Sequence, residues 1–475
     1  MTEVSLRKLN THYVMPHADR AEWRKLERLQ MKVLDDAFEL AIERAGIPKD
    51  GELCLRSVSA PVRLRLDSSD QSITAHWTAE LAQSLTDVIR NGPRSRRVFY
   101  YSRQQAVFDF ALCVTRGEYE RAWAWQQLGL WVDRNTVESA NAVRELVQAL
   151  TREPELIVPV FRYLAPADAL PAMSRRLSSS QWQELSEAAL MHAGVFLVRD
   201  DSDGTPSSRV FSYALRILEC SQILAAISYS AVLQGAGETM RRSIAALAIL
   251  EAEAALLYSP VAASVVDVVA SSIAANRQTV TVSQAAESKH EISPQPPLEE
   301  ASEYNNEVSD PRRRARTDYG GLLFLIHVID QLELPQQIVG DSVLGVRPLS
   351  WVLHQLAMSL TPVGPTDAAA LAFAGLLPDA SPPSELEPLA THDETQAVTT
   401  LAARIVEHLS SLAIAEDTEL QDFVCHRHAE IVADPAWIEV RFSLDQVATE
   451  IRRAGLDLDP GYVKWLGVVL KFVYE

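Results

Sequence analysis

The sequence predicts a mostly α-helical protein with small α+β units, on three observations. Apolar residues recur every three or four positions over most of the chain up to Ala275, the period of an amphipathic helix. Alternation with a period of two is confined to short stretches. A compositional break at Asn276–Thr317 is followed by a region that ends as strand–helix–strand. The expected organisation is an N-terminal α+β module over 1–134, a helical module over 135–275, a disordered linker over 276–317 and a C-terminal α+β module over 318–475. A chain of 475 residues fits this division, since a domain averages roughly 150 residues.

The N-terminal region reads as helices with a short strand pair or ribbon. Asp19 followed by Glu22 is a helix-starting pair. Leu26, Leu29, Val33, Ala37 and Leu40 then form a stripe that Gly46 and Pro48 close. Val58, Ala60, Val62, Leu64 and Leu66 alternate with Arg63 and Arg65, which predicts a strand, and Pro61 places it at an edge. Ile73, Trp77, Leu81 and Leu85 predict a second long helix ending at Gly92-Pro93. Ser102 with Gln105 starts an aromatic-rich helix, and from Asn135 to Ala275 the pattern is helical almost throughout.

The break at Asn276–Thr317 is rich in Ser, Gln, Glu and Pro and poor in large apolar residues. Such a segment buries too little surface to offset its ordering entropy. Its acids run from Glu287 to Asp310, and Arg312, Arg313, Arg314 and Arg316 follow. A weaker break spans Ala380–Glu394. Beyond the linker, Tyr319–Leu332 is an apolar helix opened by Gly320-Gly321, and Leu349–Leu360 is another. Ile438, Val440 and Phe442 form a short strand. Ser443 and Gln446 start a helix through Ala454 that Gly455 ends, and Val468–Tyr474 is the closing strand.

Lys and Arg number 44 against 63 Asp and Glu, a net charge of −19. That argues against nucleic acid and anionic membranes as partners. The N-terminus lacks the apolar core of a secretory signal. The uncharged stretches Cys220–Gly237 and Pro348–Thr366 carry too many polar residues and prolines to span a bilayer. Four scattered cysteines suit a reducing compartment, so the expected location is cytoplasmic.

Signatures of chemistry are sparse. There is no phosphate-binding loop, no G-x-S-x-G elbow and no H-E-x-x-H helix. Gly235-Ala-Gly237 lacks the third glycine of a dinucleotide fingerprint. Cys425-His426-Arg427-His428, with His392 and His408 upstream, supplies metal-ligand chemistry but no second half for a tetrahedral set; the plainer reading is a helix end with a buried Cys and surface histidines. Glu299-Glu300 and Asp200-Asp201 read as solvated charges. No catalytic residue, cofactor or metal is expected.

Candidate contact residues are easier to name. Trp123, Trp125 and Trp131 fall within nine residues and at helical spacing do not all share a face. They read as a core helix with one Trp partly exposed, or as anchors between the domain and a partner. Arg96 and Arg97 form one basic spot. Arg312, Arg313 and Arg314 form a second, and Trp465 is a further candidate near the C-terminus.

Four stretches resemble a family associated with contractile injection systems, the phage-tail-like devices of bacteria. They are Gly51–Leu66 with the helix holding Trp77, Arg96–Trp131, Asp318–Pro335 with Arg347–Ala357, and Asp434–Tyr474, the most specific. The chain is similar to the conserved protein encoded beside the sheath, tube and baseplate genes, and its N-terminal region resembles proteins described there as tape-measure proteins. The resemblance implies a structural or assembly role, not catalysis, with tube, baseplate or cap proteins of the particle as partners. A loading chaperone for cargo is the alternative, and a metal-dependent effector using Cys425, His426 and His428 is the third reading.

Overall fold

The computed structural model describes residues 8–14, 20–47, 51–93, 95–133, 139–197, 207–227, 235–283, 311–412 and 420–475. The fold is mostly α-helical with small β units, as the periodicity predicts. The chain divides into two compact units, one holding residues 1–113 and 117–145, the other mainly 146–296 and 311–475.

The first unit is built on two parallel helices, Arg20–Ala45 and Asp70–Asn91. Lys25 and Arg28, near the start of the first, both pair with Asp70 at the start of the second. Leu26 and Val33 pack with Ile73 and Trp77. Ala37 and Ala41 pack with Ala82, Leu85 and Ile89. Gly46, at φ 66°, ends the first helix in the left-handed region that glycine enters without strain.

Parallel packing explains a difference from expectation. The strand read at Val58–Leu66 is extended chain with no strand partner. To begin the second helix beside the start of the first, the chain must travel back along a 22-residue helix, about 33 Å at 1.5 Å per residue. Roughly ten extended residues at ~3.3 Å each cover that span. Alternate residues Val58, Val62, Leu64 and Leu66 lie on the helix pair, which produces the period of two. Backbone carbonyls on the return find side-chain donors: Lys25 Nζ reaches Leu66 O and Ser68 O, and His76 Nε2 lies 3.2 Å from Arg63 O. The strand pair exists nearby, as β1 (Glu52–Leu55) antiparallel to β2 (Arg97–Tyr100). Ser102 then caps the Arg103–Arg116 helix, its Oγ accepting from Gln105 N. Asp19, the expected start of the first helix, lies outside the described residues.

The second unit joins helices from before the acidic break to a five-stranded sheet after it. The sheet order is β3 (Arg313–Thr317), β4 (Ala429–Asp434), β5 (Trp437–Phe442), β7 (Val468–Tyr474), β6 (Gly461–Val463). β5 and β7 are parallel and the other pairs antiparallel. The Thr449–Arg453 helix lies between β5 and β7, so the strand–helix–strand end is present. One sheet face carries Ile431, Val440, Phe442 and Leu470, all buried. Phe324 packs on it, with ring centroids 5.2 Å from Phe442 and 5.0 Å from Phe472. Gly320-Gly321 lets that segment approach: a Cβ on Gly320 would clash with Ala429 of β4, and one on Gly321 with Val424 O of the Leu420–Cys425 helix.

Three boundaries differ from the sequence reading. Within the expected linker, residues 276–283 belong to the Ala262–Ser283 helix and Arg313–Thr317 form β3; residues 284–310 lie outside the described residues. The arginines read as linker gain strand structure by pairing with β4, which gives their backbone hydrogen-bond partners. Second, the helices before the break and the sheet after it share one unit instead of forming separate modules. Gly467, at φ 69°, would place a Cβ 2.7 Å from Leu250 O, and the His192 and Tyr462 rings lie 4.7 Å apart. Third, Ser443 starts no long helix. Its hydroxyl bonds the Asp445 carboxylate, and a 3-10 turn at Leu444–Gln446 precedes the separate short helix.

Candidate functional site

Trp125 and Trp131 lie in the interior of the first unit, while Trp123 is half-buried. The two buried indoles stack at 6.3 Å with nearly parallel planes, and Phe110 packs beside both. Asp109 gathers donors from β2 and from the Ala122–Gln127 helix with its cap residue Arg121. Tyr100 Oη donates to it at 2.7 Å and Trp125 Nε1 at 3.2 Å, and Arg121 pairs with it at 2.5 Å. Burial first, and then the Asp109 carboxylate, push the Tyr100 hydroxyl far above its ordinary pKa. The same two causes push the Cys113 thiol up to about 12. Burial and the Asp109 carboxylate both favour the neutral forms of these two groups, and the cluster ties β2 to the Ala122–Gln127 helix.

The basic spots are largely tied into the fold. Arg97 donates to Gly92 O and Ile89 O, placing a cation at the end of the Asp70–Asn91 helix, where it complements the helix dipole. Arg96 is exposed. Arg312 is buried and pairs with Glu439 at 3.1 Å. Arg313 and Arg314 meet Asp379 and Glu430 at 3.4 and 3.5 Å. Trp465 is buried and donates to Asp330 at 3.0 Å. Of the named contact candidates, Trp125, Trp131, Trp465 and Arg312 therefore face inward as packing residues. Each finds a partner within its own unit: Trp125 and Trp131 stack on each other, Trp465 donates to Asp330, and Arg312 pairs with Glu439. Trp123, Arg96, Arg313 and Arg314 keep exposed or half-exposed surface.

Cys425 ends the Leu420–Cys425 helix and is buried, and burial pushes its thiol up to about 12. His426 and His428 are exposed, with His428 Nδ1 2.8 Å from Asp318. His408 contacts Gln331 at 2.9 Å, and His392 opens the His392–Ser411 helix. The thiol points inward and the imidazoles outward. Among the described residues, no three His, Cys, Asp or Glu side chains are grouped to hold a metal ion. Glu299-Glu300 and Asp200-Asp201 lie outside the described residues. Among those residues, no helix is long and apolar enough to cross a membrane.

The densest charge constellation lies elsewhere. Arg347 Nε and Nη2 donate to the two Glu394 oxygens at 2.7 and 3.1 Å, its Nη1 to Glu387 at 3.2 Å, and its Nη2 also to Leu389 O at 3.3 Å. Its guanidinium lies 4.7 Å from the Trp351 ring centroid. The hydrogen bond from Arg347 holds the Glu394 carboxyl down to about 2 despite its burial, and Thr391 adds to the effect. Alongside, Arg216 pairs with buried Glu253 at 2.6 Å. Glu253 also accepts Leu349 N at 3.0 Å, and burial raises its pKa against the pull of Arg216. The Leu349 N–Glu253 bond, with Arg216 Nη1 3.4 Å from Gly345 O, ties the helices before the acidic break to those after it. Part of this was readable, because Thr391-x-x-Glu394 is a capping-box spacing, and the structure shows both of its hydrogen bonds. Nothing in the spacing shows that Arg347 closes on the same carboxylate.

Comparison with family models, curated proteins and solved structures gave no match to this chain.

Proposed function

We propose that this protein is a non-catalytic structural or assembly component of a bacterial contractile injection system, acting as a scaffold or adaptor. Its partners are tube, baseplate or cap proteins of the particle, and it is made in the cytoplasm. The observation that carries the reading is the sequence resemblance, densest in Asp434–Tyr474. That stretch builds β5, β6 and β7 of the sheet.

The way charge is used supports the reading. Asp109, Glu253 and Glu394 are each bonded to an arginine, and each carboxylate joins separate secondary elements. Such pairs fix a surface in place, which is what a scaffold requires. An adaptor also suits the architecture better than a ruler: the longest described helix has 26 residues, about 39 Å at 1.5 Å per residue. Quantitative mass spectrometry of purified particles tests the proposal. A fixed copy number per particle is expected. Its absence from the particles, together with loss of packed cargo when the gene is removed, would identify a loading chaperone instead.

A further inference from the structure

His354 sits within the Leu349–Leu360 helix and is wholly buried. Its Nε2 lies 2.8 Å from Pro365 O. A carbonyl only accepts, so Nε2 carries the proton and Nδ1 is left as a bare lone pair. That nitrogen is buried too and has no hydrogen-bond partner among the described residues, an uncommon state for an interior polar atom.

The helix contains no Asp, Glu, Lys or Arg, and neither do the Leu334–Gly340 and Ala368–Phe373 helices packed against it. On the Pro383–Leu386 and His392–Ser411 helices the ionisable groups are bonded elsewhere or exposed. Glu394 is held by Arg347, Arg404 donates to Gln337 and His408 contacts Gln331, while Glu385, His392, Asp393 and Glu407 are exposed. Glu253, which accepts Leu349 N, is paired with Arg216. No charge among the described residues acts on His354: burial lowers its pKa, and the bond to Pro365 O opposes that.

Protonation would therefore add an N–H without an acceptor and a charge without a counter-charge, both costly in an interior. To hydrate them the ring must leave Pro365 O. That carbonyl belongs to a turn closed by Asp367 N on Gly364 O at 3.1 Å. The Asp367 carboxylate accepts from Ala369 N and from Thr317 Oγ1, both at 2.8 Å. Thr317 ends β3, an edge strand of the sheet. One imidazole thus stands at the head of a chain of contacts that reaches the sheet edge.

We propose that His354 is an acid-sensitive latch: as the neutral imidazole it holds the Gly364–Asp367 turn, and with it β3, and on protonation it releases both. Because burial lowers the folded-state pKa, the latch is complete above the unfolded-state value near 6.5 and weakens as pH falls below it. The proposal goes beyond the particle reading and is tested on the isolated protein, so either can fail alone.

The test is hydrogen exchange of the full chain at pH 7.5 and 5.5, with rates corrected for the intrinsic effect of pH. Wild type is compared with His354→Gln, whose side-chain amide can donate to Pro365 O but does not titrate. One pH unit below 6.5 corresponds to up to about a tenfold change in the opening equilibrium. In wild type, the amides of β3 and of the turn should open up to about tenfold more readily at pH 5.5 than at 7.5. His354→Gln should lack that increment. His354→Leu, which neither donates nor titrates, provides a second variant: β3 and the turn should open more readily at pH 7.5 already, with no further increment in acid. The Arg20–Ala45 helix of the first unit serves as the internal control and should respond alike in all three proteins. An equal acid increment in wild type and both variants, or no increment in wild type, would overturn the proposal.

Discussion

Replacing Arg347 with Met removes four hydrogen bonds at once and leaves the Glu394 carboxylate buried. Its remaining partners are Thr391 N at 2.8 Å and the Thr391 hydroxyl network of the helix cap. Breaking a buried pair by removing one partner costs about 3–5 kcal/mol. An independent route gives a similar figure. Arg347 is the main cause holding Glu394 at about 2, below an ordinary carboxylate near 4.3, and at 1.36 kcal/mol per pH unit this is worth about 3 kcal/mol. The expected loss at pH 7 is therefore about 3 kcal/mol. The sign of its pH dependence follows from the lowered folded-state pKa. The contribution is complete above the unfolded value and disappears as pH falls toward the folded one, so about half remains at pH 3. Urea unfolding of wild type, Arg347→Met, Glu394→Gln and the double variant, at pH 7 and at lower pH, measures this as a double-mutant cycle. A coupling below about 1 kcal/mol at pH 7, the size of an exposed pair, would refute the reasoning. So would a coupling that does not change with pH.

Three further outcomes follow from the same structure. Asp109→Asn should destabilise the first unit by about 2–4 kcal/mol, because Arg121, Tyr100 and Trp125 lose a charged acceptor; tryptophan fluorescence during denaturation reads it. Gly467→Ala forces a Cβ against Leu250 O and a side chain into positive φ, which should cost about 1–3 kcal/mol. Hydrogen exchange should then quicken in the Glu238–Glu253 helix as well as in β7, because the two belong to one unit. Of the four thiols, Cys220 is the exposed one and should react with an aromatic disulfide reagent in the native state. Cys113 and Cys425, both pushed up to about 12, should react only after unfolding.

What the sequence showed and hid has a physical pattern. Helices whose apolar period is set by local packing were legible: Ile73 to Leu85 marks the helix that ends at Asn91, and Leu349–Leu360 matches to the residue. β5 and β7 were legible because buried residues alternate along β5 and β7 ends the chain as a β-branched and aromatic run. β3 and β4 were not. Arg313–Thr317 is an edge strand of charged residues, a composition that protects an edge from pairing with other chains and resembles a linker. The return segment at Val58–Leu66 shows the opposite case, since a span requirement gave it strand-like alternation. Of the candidate contact residues, the tryptophans were conspicuous because they are large, and size favours the interior as much as an interface. The pairs of Arg347 with Glu394 and Arg216 with Glu253 join residues 47 and 37 positions apart, and no local pattern encodes such contacts.

The role proposed for the chain is in the assembly of a contractile particle. Electron microscopy of particles from a strain lacking the gene tests it most directly. The expected result is loss of particles, or particles of altered length or missing a terminal structure, restored when the gene is returned. Normal numbers of complete particles of normal length would contradict it.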